Sequence, residues 1–281
     1  MFGISPANDG QRKLLYGGVI GLMGWVCAVT LVFGYCEMAK ARNRSEAAAA
    51  DTLPILVELF TSEGCSSCPP ADAMLEKMDA QPIPGAQLIV LSEHVDYWDH
   101  DGWKDPYSSS LVTERQNDYV RALGLKTAYT PQVIVDGTSE LRLSDPQQFK
   151  QVFEKAMAAG TVPVRIVALN VGTGAPAIIR GRVEVDNDPN RRDADVYIVA
   201  ALDHAESQVL RGENGGKHLT HVAVVEQIKR IARITKGNGA AQDFELKLKS
   251  GNDQRNLRIV AFVQQAGPGK VLGAALRKSE N

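Results

Sequence analysis

Two cysteines three residues apart, Cys65 and Cys68, stand where an apolar β-type run passes into a helix-forming one, in Glu58-Leu59-Phe60-Thr61-Ser62-Glu63-Gly64-Cys65-Ser66-Ser67-Cys68-Pro69-Pro70. Residues i and i+3 share a helix face, so the two sulfurs can reach bonding distance and cycle between dithiol and disulfide. A cysteine beside the free N–H groups of a helix start also gains thiolate stabilisation, and the thiolate is the nucleophile of disulfide exchange. In this reading Cys65 attacks and Cys68 resolves. Pro69 and Pro70 weaken the helix contribution, because they lack two N–H donors and Pro70 disfavours a helical Pro69. The helix is then expected to begin at Cys68, with Cys65 in the preceding loop. The same residue types also bind soft metals. His94 and Asp96, on one side of a strand's carboxyl end, with Asp99, His100 and Asp101 nearby, could be imagined as further zinc or copper ligands. Their plainer reading is that they hydrogen-bond and fix the loop that follows. Glu63, nearest to the cysteines, is expected to be solvated.

The pair needs a strand before it and a helix after it, and the pattern from Pro54 supplies both. Ile55 to Phe60 reads as a strand, and Ala71, Met74, Leu75 and Met78 share one helix face. Leu88 to Leu91 reads as a buried strand, Ser108 to Leu123 as a helix stopped by Gly124, and Gln132 to Val135 as a strand closed by Asp136-Gly137. A further helix runs from Asp145-Pro146 to Gly160. That order is α/β. After Gly160 the apolar period becomes two, in Val162 to Leu169, Ile178 to Val185, Asp195 to Leu202, Gln208 to Arg211, His218 to Ile234, Phe244 to Leu248, Arg258 to Gln264 and Val271 to Leu276. These predict an all-β sandwich. The expected organisation is therefore a leader and linker over 1–50, an α/β domain over 51–160 and a β-sandwich over 161–281.

Leu14 to Cys36 is 23 residues without a charge, long enough to cross a bilayer and long for a signal-peptide core. Anchor and export signal both fit; small-residue cleavage patterns follow at Ala39-Lys40-Ala41 and Ala48-Ala49-Ala50. The expected location is a bacterial cell envelope, with the segment in the membrane if it is uncleaved. Of 31 Lys/Arg and 33 Asp/Glu, five and three lie in the first fifty residues, leaving 26 against 30 in the body. A weakly acidic body argues against nucleic acid as a partner. Cys27 and Cys36 fall in the apolar run, so Cys65 and Cys68 are alone in the folded part and cannot build a four-thiolate zinc site. Tyr97, Trp98, Trp103, Tyr107 and Tyr119 crowd residues 96–125, either as packing or as a wall for a partner.

Thr130-Pro131 stands before a strand and hairpin turn in the same α/β unit, and with Cys65-Ser66-Ser67-Cys68 it resembles the thioredoxin superfamily. That resemblance implies a cis Pro131 beside the cysteines, with Thr130's backbone groups presented to an extended substrate segment. It also puts Glu58 where thioredoxins keep a buried carboxylate behind the sulfurs, though one extra residue separates it from Cys65. There it could take the proton of Cys68 during resolution. Residues 57–72, His94-Val95-Asp96-Tyr97-Trp98-Asp99, Gly102-Trp103-Lys104-Asp105, Thr130-Pro131-Gln132 and Arg211-Gly212-Glu213-Asn214 together look like a family of bacterial secreted thioredoxin-like proteins of unassigned function. It implies a thioredoxin-like α/β domain followed by an all-β sandwich over roughly 53–276, and a contact between residues 211–214 and the first domain. The expected activity is thiol:disulfide oxidoreduction on protein or peptide thiols, without a cofactor, coupled to a membrane-bound electron donor or acceptor. The alternative is a periplasmic soft-metal carrier using the same cysteines.

Overall fold

The computed structural model describes residues 52–279 apart from positions 82, 175, 250 and 252. Leu14 to Cys36, with Cys27, Cys36 and both cleavage patterns, lies outside the described residues. In chain order the elements are β1 (Leu53–Thr61), α1 (Pro69–Ala80), β2 (Ala86–His94), α2 (Ser110–Ala122), β3 (Gln132–Val135), β4 (Ser139–Leu141) and α3 (Pro146–Ala158). They continue with β5 (Val164–Val171), β6 (Ile178–Val185), β7 (Ala194–Gln208), β8 (His218–Ile234), β9 (Ala240–Lys247), β10 (Leu257–Gln265) and β11 (Val271–Lys278). Gln208 to Arg211, expected as a separate strand, is the end of β7 and the start of a turn.

β1 is buried on both faces from Ile55 to its end. Ile55, Val57 and Leu59 pack against Ala71, Leu75 and Met78 of α1 and Val152 and Phe153 of α3. Side chains alternate along a strand, so the intervening residues face the other way. Phe60 accordingly packs with Val112 and Tyr119 of α2. Cys68 is the N-cap of α1, and Pro69 and Pro70 fill its first two positions, where N–H groups have no intrahelical partner. α3 starts more firmly, with the Asp145 carboxylate accepting from the N–H groups of Gln147 and Gln148. Asp136 and Gly137 both have positive φ, 46° and 65°, as the tight turn between β3 and β4 requires.

The expected thioredoxin-like α/β domain followed by a β-sandwich is not what the chain builds. One mixed sheet of eight strands, in the order β11-β10-β7-β8-β2-β1-β3-β4, takes strands from both sides of residue 160. The junction is between β2 and β8, parallel at Ser92 and Val224. A small sheet, β5-β6-β9, packs through Ile166, Ile179, Val183 and Phe244 onto Val196, Ile198, Ile259 and Val263 of the large sheet. The physical reason is edge pairing. β2 would otherwise leave its side away from β1 without a strand neighbour, and the 17-residue β8 runs alongside it and pairs at Ser92 and Val224. Leu53–Asn281 accordingly form one compact unit. No helix among the described residues is long and apolar enough to cross a membrane.

Candidate functional site

Cys65 and Cys68 are joined as a disulfide with a Cα–Cα distance of 5.4 Å. The intervening loop is tight: Cys65 N–H donates to the Ser62 carbonyl and Cys68 N–H to the Cys65 carbonyl, each at 3.2 Å. Both cysteines are fully buried, although Ser66 and Ser67 between them are exposed. What covers them comes from the turn between β7 and β8. Asn214, itself fully buried, donates from Nδ2 to the carbonyls of Glu63 at 2.8 Å and Cys65 at 2.9 Å. Lys217 Nζ donates to the Asn214 side-chain oxygen, which fixes the amide's orientation. Beside it Ser66 N–H donates to the Glu213 carboxylate at 3.0 Å, and the Ser66 side chain first, then this N–H, hold the Glu213 carboxyl below its ordinary range. Gly212, at φ +77°, packs so closely on residues 101–103 that a Cβ would stand 3.1 Å from the Asp101 carbonyl and 3.2 Å from Trp103 Cβ.

On the other side of the cysteines the Thr130–Pro131 bond is cis. Trp98 links the two: its Nε1 donates to Thr130 Oγ1 at 2.7 Å, and its Cβ lies 3.0 Å from where a Cβ on Gly64 would sit. An open, largely apolar groove of about 450 Å³ runs from Ser67 and Pro70 past Met74 and Pro131 to Leu141 and Leu143. Tyr97 and Tyr129 flank Thr130 and are exposed, held by Gln116, which accepts from the Tyr97 hydroxyl and donates to the Tyr129 carbonyl. Of the aromatic residues in the 96–125 stretch, Tyr119 is core, whereas Tyr97 is exposed.

Behind the cysteines lies a cluster of buried charge that local sequence does not foretell. Glu63 is not solvated; it is fully buried. Its N–H donates to Asp105 Oδ2, its Oε2 accepts from Trp103 Nε1 at 2.8 Å, and its Oε1 stands 3.4 Å from His221 Nε2. The other nitrogen of His221 is 3.8 Å from Asp72 Oδ1, one helical turn beyond Cys68. Burial opposes a charge on His221, but the carboxylates of Asp72 and Glu63 outweigh it and push its pKa up to about 9. The His94 ring packs edge-on at 4.8 Å from His221, with its Nδ1 2.7 Å from Asp105 Oδ2. Burial works against ionisation of Asp105 too, yet His94 and the N–H groups of Glu63 and Tyr107 hold it below its ordinary value. His218, three residues before His221, faces solvent beside Glu206, as strand alternation requires.

Of the residues imagined as metal ligands, Asp96 and Asp99 have other work. Asp96 accepts from Thr113 Oγ1, and Asp99 accepts from Ser108 Oγ and Asp105 N–H, so both fix the loop into α2. Among the described residues no three His, Cys, Asp or Glu side chains are arranged to hold a metal ion. Glu58 is not brought to the cysteines either. It points to the face of β1 opposite α1, accepting from Arg115 Nε at 2.6 Å and from the Tyr119 hydroxyl at 2.5 Å. Glu93 lies beside this network, 3.7 Å from Arg115 Nε, and burial and the Glu58 charge push its pKa well up. Arg115 also reaches Gln264 of β10, so the network locks α2 across to the far half of the sheet.

Residues 56–264 match a family described as "Protein of unknown function (DUF1223)". A crystal structure of a protein from Agrobacterium tumefaciens is similar at 25% identity and TM-score 0.62, covering 82% of this chain and 96% of that one. A structure titled "HBP35 of Porphyromonas gingivalis" has TM-score 0.57 at 17% identity, covering 81% of this chain and 75% of that one, a likeness of fold alone. No curated protein matches the chain.

Proposed function

We propose that this chain, which belongs to the DUF1223 family of proteins of unknown function, is an exported or membrane-anchored thiol:disulfide oxidoreductase acting on protein or peptide thiols in a bacterial envelope. One observation carries the reading: the Cys65–Cys68 disulfide closes a loop whose exposed Ser67 lines an apolar groove together with Pro131. The likeness to thioredoxin-superfamily oxidoreductases lies in this local motif, not in the architecture. In disulfide exchange a thiolate attacks one sulfur of a disulfide, a mixed disulfide forms, and the other sulfur leaves as thiolate and takes a proton. Here Cys65 forms the mixed disulfide, Cys68 resolves it, and Thr130 and Pro131 align an extended partner segment along the groove. A membrane-bound electron donor or acceptor resets the pair. The sulfurs carry the electrons, so no cofactor enters the scheme.

The test is a redox titration of the full chain, with thiol trapping of the Cys65–Cys68 peptide and metal content measured on the same sample. A reversible two-electron transition, lost in Cys65→Ser, is the expected result. A chain that holds about one soft metal ion per molecule and shows no reversible disulfide would overturn the reading in favour of a carrier.

A further inference from the structure

We infer that the pair works in the reducing direction: its dithiol is the electron donor, and its substrates are disulfides in protein or peptide segments that lay an apolar side chain in the groove. The inference rests on the oxidoreductase reading and adds its direction. A disulfide is a strong oxidant when its reduced form is stabilised, which in CxxC proteins means a supported thiolate. Among the described residues, the groups beside Cys65 that could give such support are few.

Both cysteines are fully buried, so a thiolate there would be desolvated. The first two positions of α1 are Pro69 and Pro70, so two of the amides that would point at an anion carry no hydrogen. The N–H of Ser66, next in chain to Cys65, is taken by the Glu213 carboxylate, which adds negative charge where a thiolate would form. Close in chain to the pair, two residues before Cys65 and four after Cys68, are the carboxylates of Glu63 and Asp72, with one imidazole, His221, between them. The Lys217 ammonium, on the covering turn, is turned to the Asn214 side-chain oxygen. What remains is the Ser67 hydroxyl, 3.4 Å from Cys65 Sγ. With so little support for the reduced form the disulfide is favoured, and a favoured disulfide belongs to a reductant.

The cycle balances with one further reactant class. Cys65 thiolate attacks a substrate sulfur, the substrate disulfide breaks, and its second sulfur leaves as thiolate and is protonated from water. Cys68 thiolate then attacks Cys65 Sγ; the Cys65–Cys68 bond forms and the first substrate sulfur leaves and is protonated. The substrate has gained two electrons and two protons, and the disulfide described above is the spent form. A dithiol reductant must return two electrons and two protons to it.

To test this, the full chain is equilibrated with glutathione and with dithiothreitol couples, starting from both the disulfide and the dithiol so that slow access under the cover is separated from equilibrium. The dithiol fraction is read by alkylation and mass of the Cys65–Cys68 peptide. The expected result is that excess dithiothreitol reduces the pair, whereas excess reduced glutathione leaves it disulfide. Glu213→Gln, an exposed change, frees the Ser66 amide of a charged partner and should raise the dithiol-to-disulfide ratio about threefold. Full reduction of the wild type by glutathione would overturn the direction while leaving the oxidoreductase reading intact, and an unchanged ratio in Glu213→Gln would overturn the assigned cause. Failure of the dithiothreitol couple to act reversibly on the folded chain would overturn the oxidoreductase reading itself.

Discussion

His221 makes stability fall in a pH window where few other groups titrate. Its pKa is pushed up to about 9 in the fold, against an ordinary 6.5, because Asp72 and Glu63 face it in a buried place. A base with a raised folded pKa adds stability that is fully present below the unfolded value and is lost as pH climbs through the folded one. The window is therefore about 6.5 to 9, and the difference is worth up to about 3 kcal/mol. The groups facing His221 are Glu63 after β1, Asp72 on α1, His94 at the end of β2, and Asp105 and Tyr107 in the loop before α2. Tyr107 is pushed above its ordinary value by burial and stays neutral through the window, and the cysteines, being bonded, do not titrate. Urea unfolding at constant ionic strength at about pH 6, 7.5 and 9.5 should show the wild type losing about 3 kcal/mol across the series. His221→Asn should be less stable at the acid end and nearly flat across it. A flat wild type, or the same slope in His221→Asn, would refute the assignment.

Asn214→Ala leaves the carbonyls of Glu63 and Cys65 without their buried donor and should cost about 2 kcal/mol, with faster reduction of the disulfide by dithiothreitol; an unchanged reduction rate would show that the turn is not a cover. Glu58→Ala strips the buried Arg115 of its main partner, so a loss of about 3–5 kcal/mol in urea is expected, while the disulfide equilibrium of a folded, stabilised background stays put because Glu58 faces away from the sulfurs. Gly137→Ala combines a positive φ of 65° with a Cβ 2.4 Å from the Gly269 carbonyl, and should lower stability by at least about 2 kcal/mol in thermal unfolding. Met74→Asp, in the groove, should raise KM for a peptide disulfide and leave the pair's equilibrium ratio unchanged, as steady-state kinetics and trapping would show.

What the sequence made legible was local. The proline-started α1 with Cys68 as its cap, the Asp136-Gly137 turn and the Asp145-Pro146 helix start each depend on neighbours in the chain, and each formed where expected. The sheet was misjudged because a period of two reports that a strand has a buried face, not which strand lies beside it. Nothing near Ser92 announces Val224. The charged cluster failed for the same reason: Glu63 reads as a loop carboxylate until Trp103, Asp105 and His221 arrive from other elements. The thioredoxin resemblance puts Glu58 behind the sulfurs, whereas alternation along β1 from Phe60, which packs on α2, puts it on the Arg115 side, where it lies. Asn214 had one signal, its place in an Arg-Gly-Glu-Asn run, whose contact with the CxxC loop proved to be two hydrogen bonds.

The junction of β2 with β8 also fixes the order of events in a chain made from its N terminus. β1 and β2 are finished early, but the strand that covers the free edge of β2 is among the later ones to emerge, and β10 and β11 beyond it come last. Until then β2 stays an open sheet edge, the kind of template on which strands of other molecules add. Residues 53–160 by themselves therefore leave that edge of β2 without its partner strand. A fragment that ends there keeps both cysteines and loses the partner of its sheet, so it should be recovered as aggregate and not as a smaller redox protein.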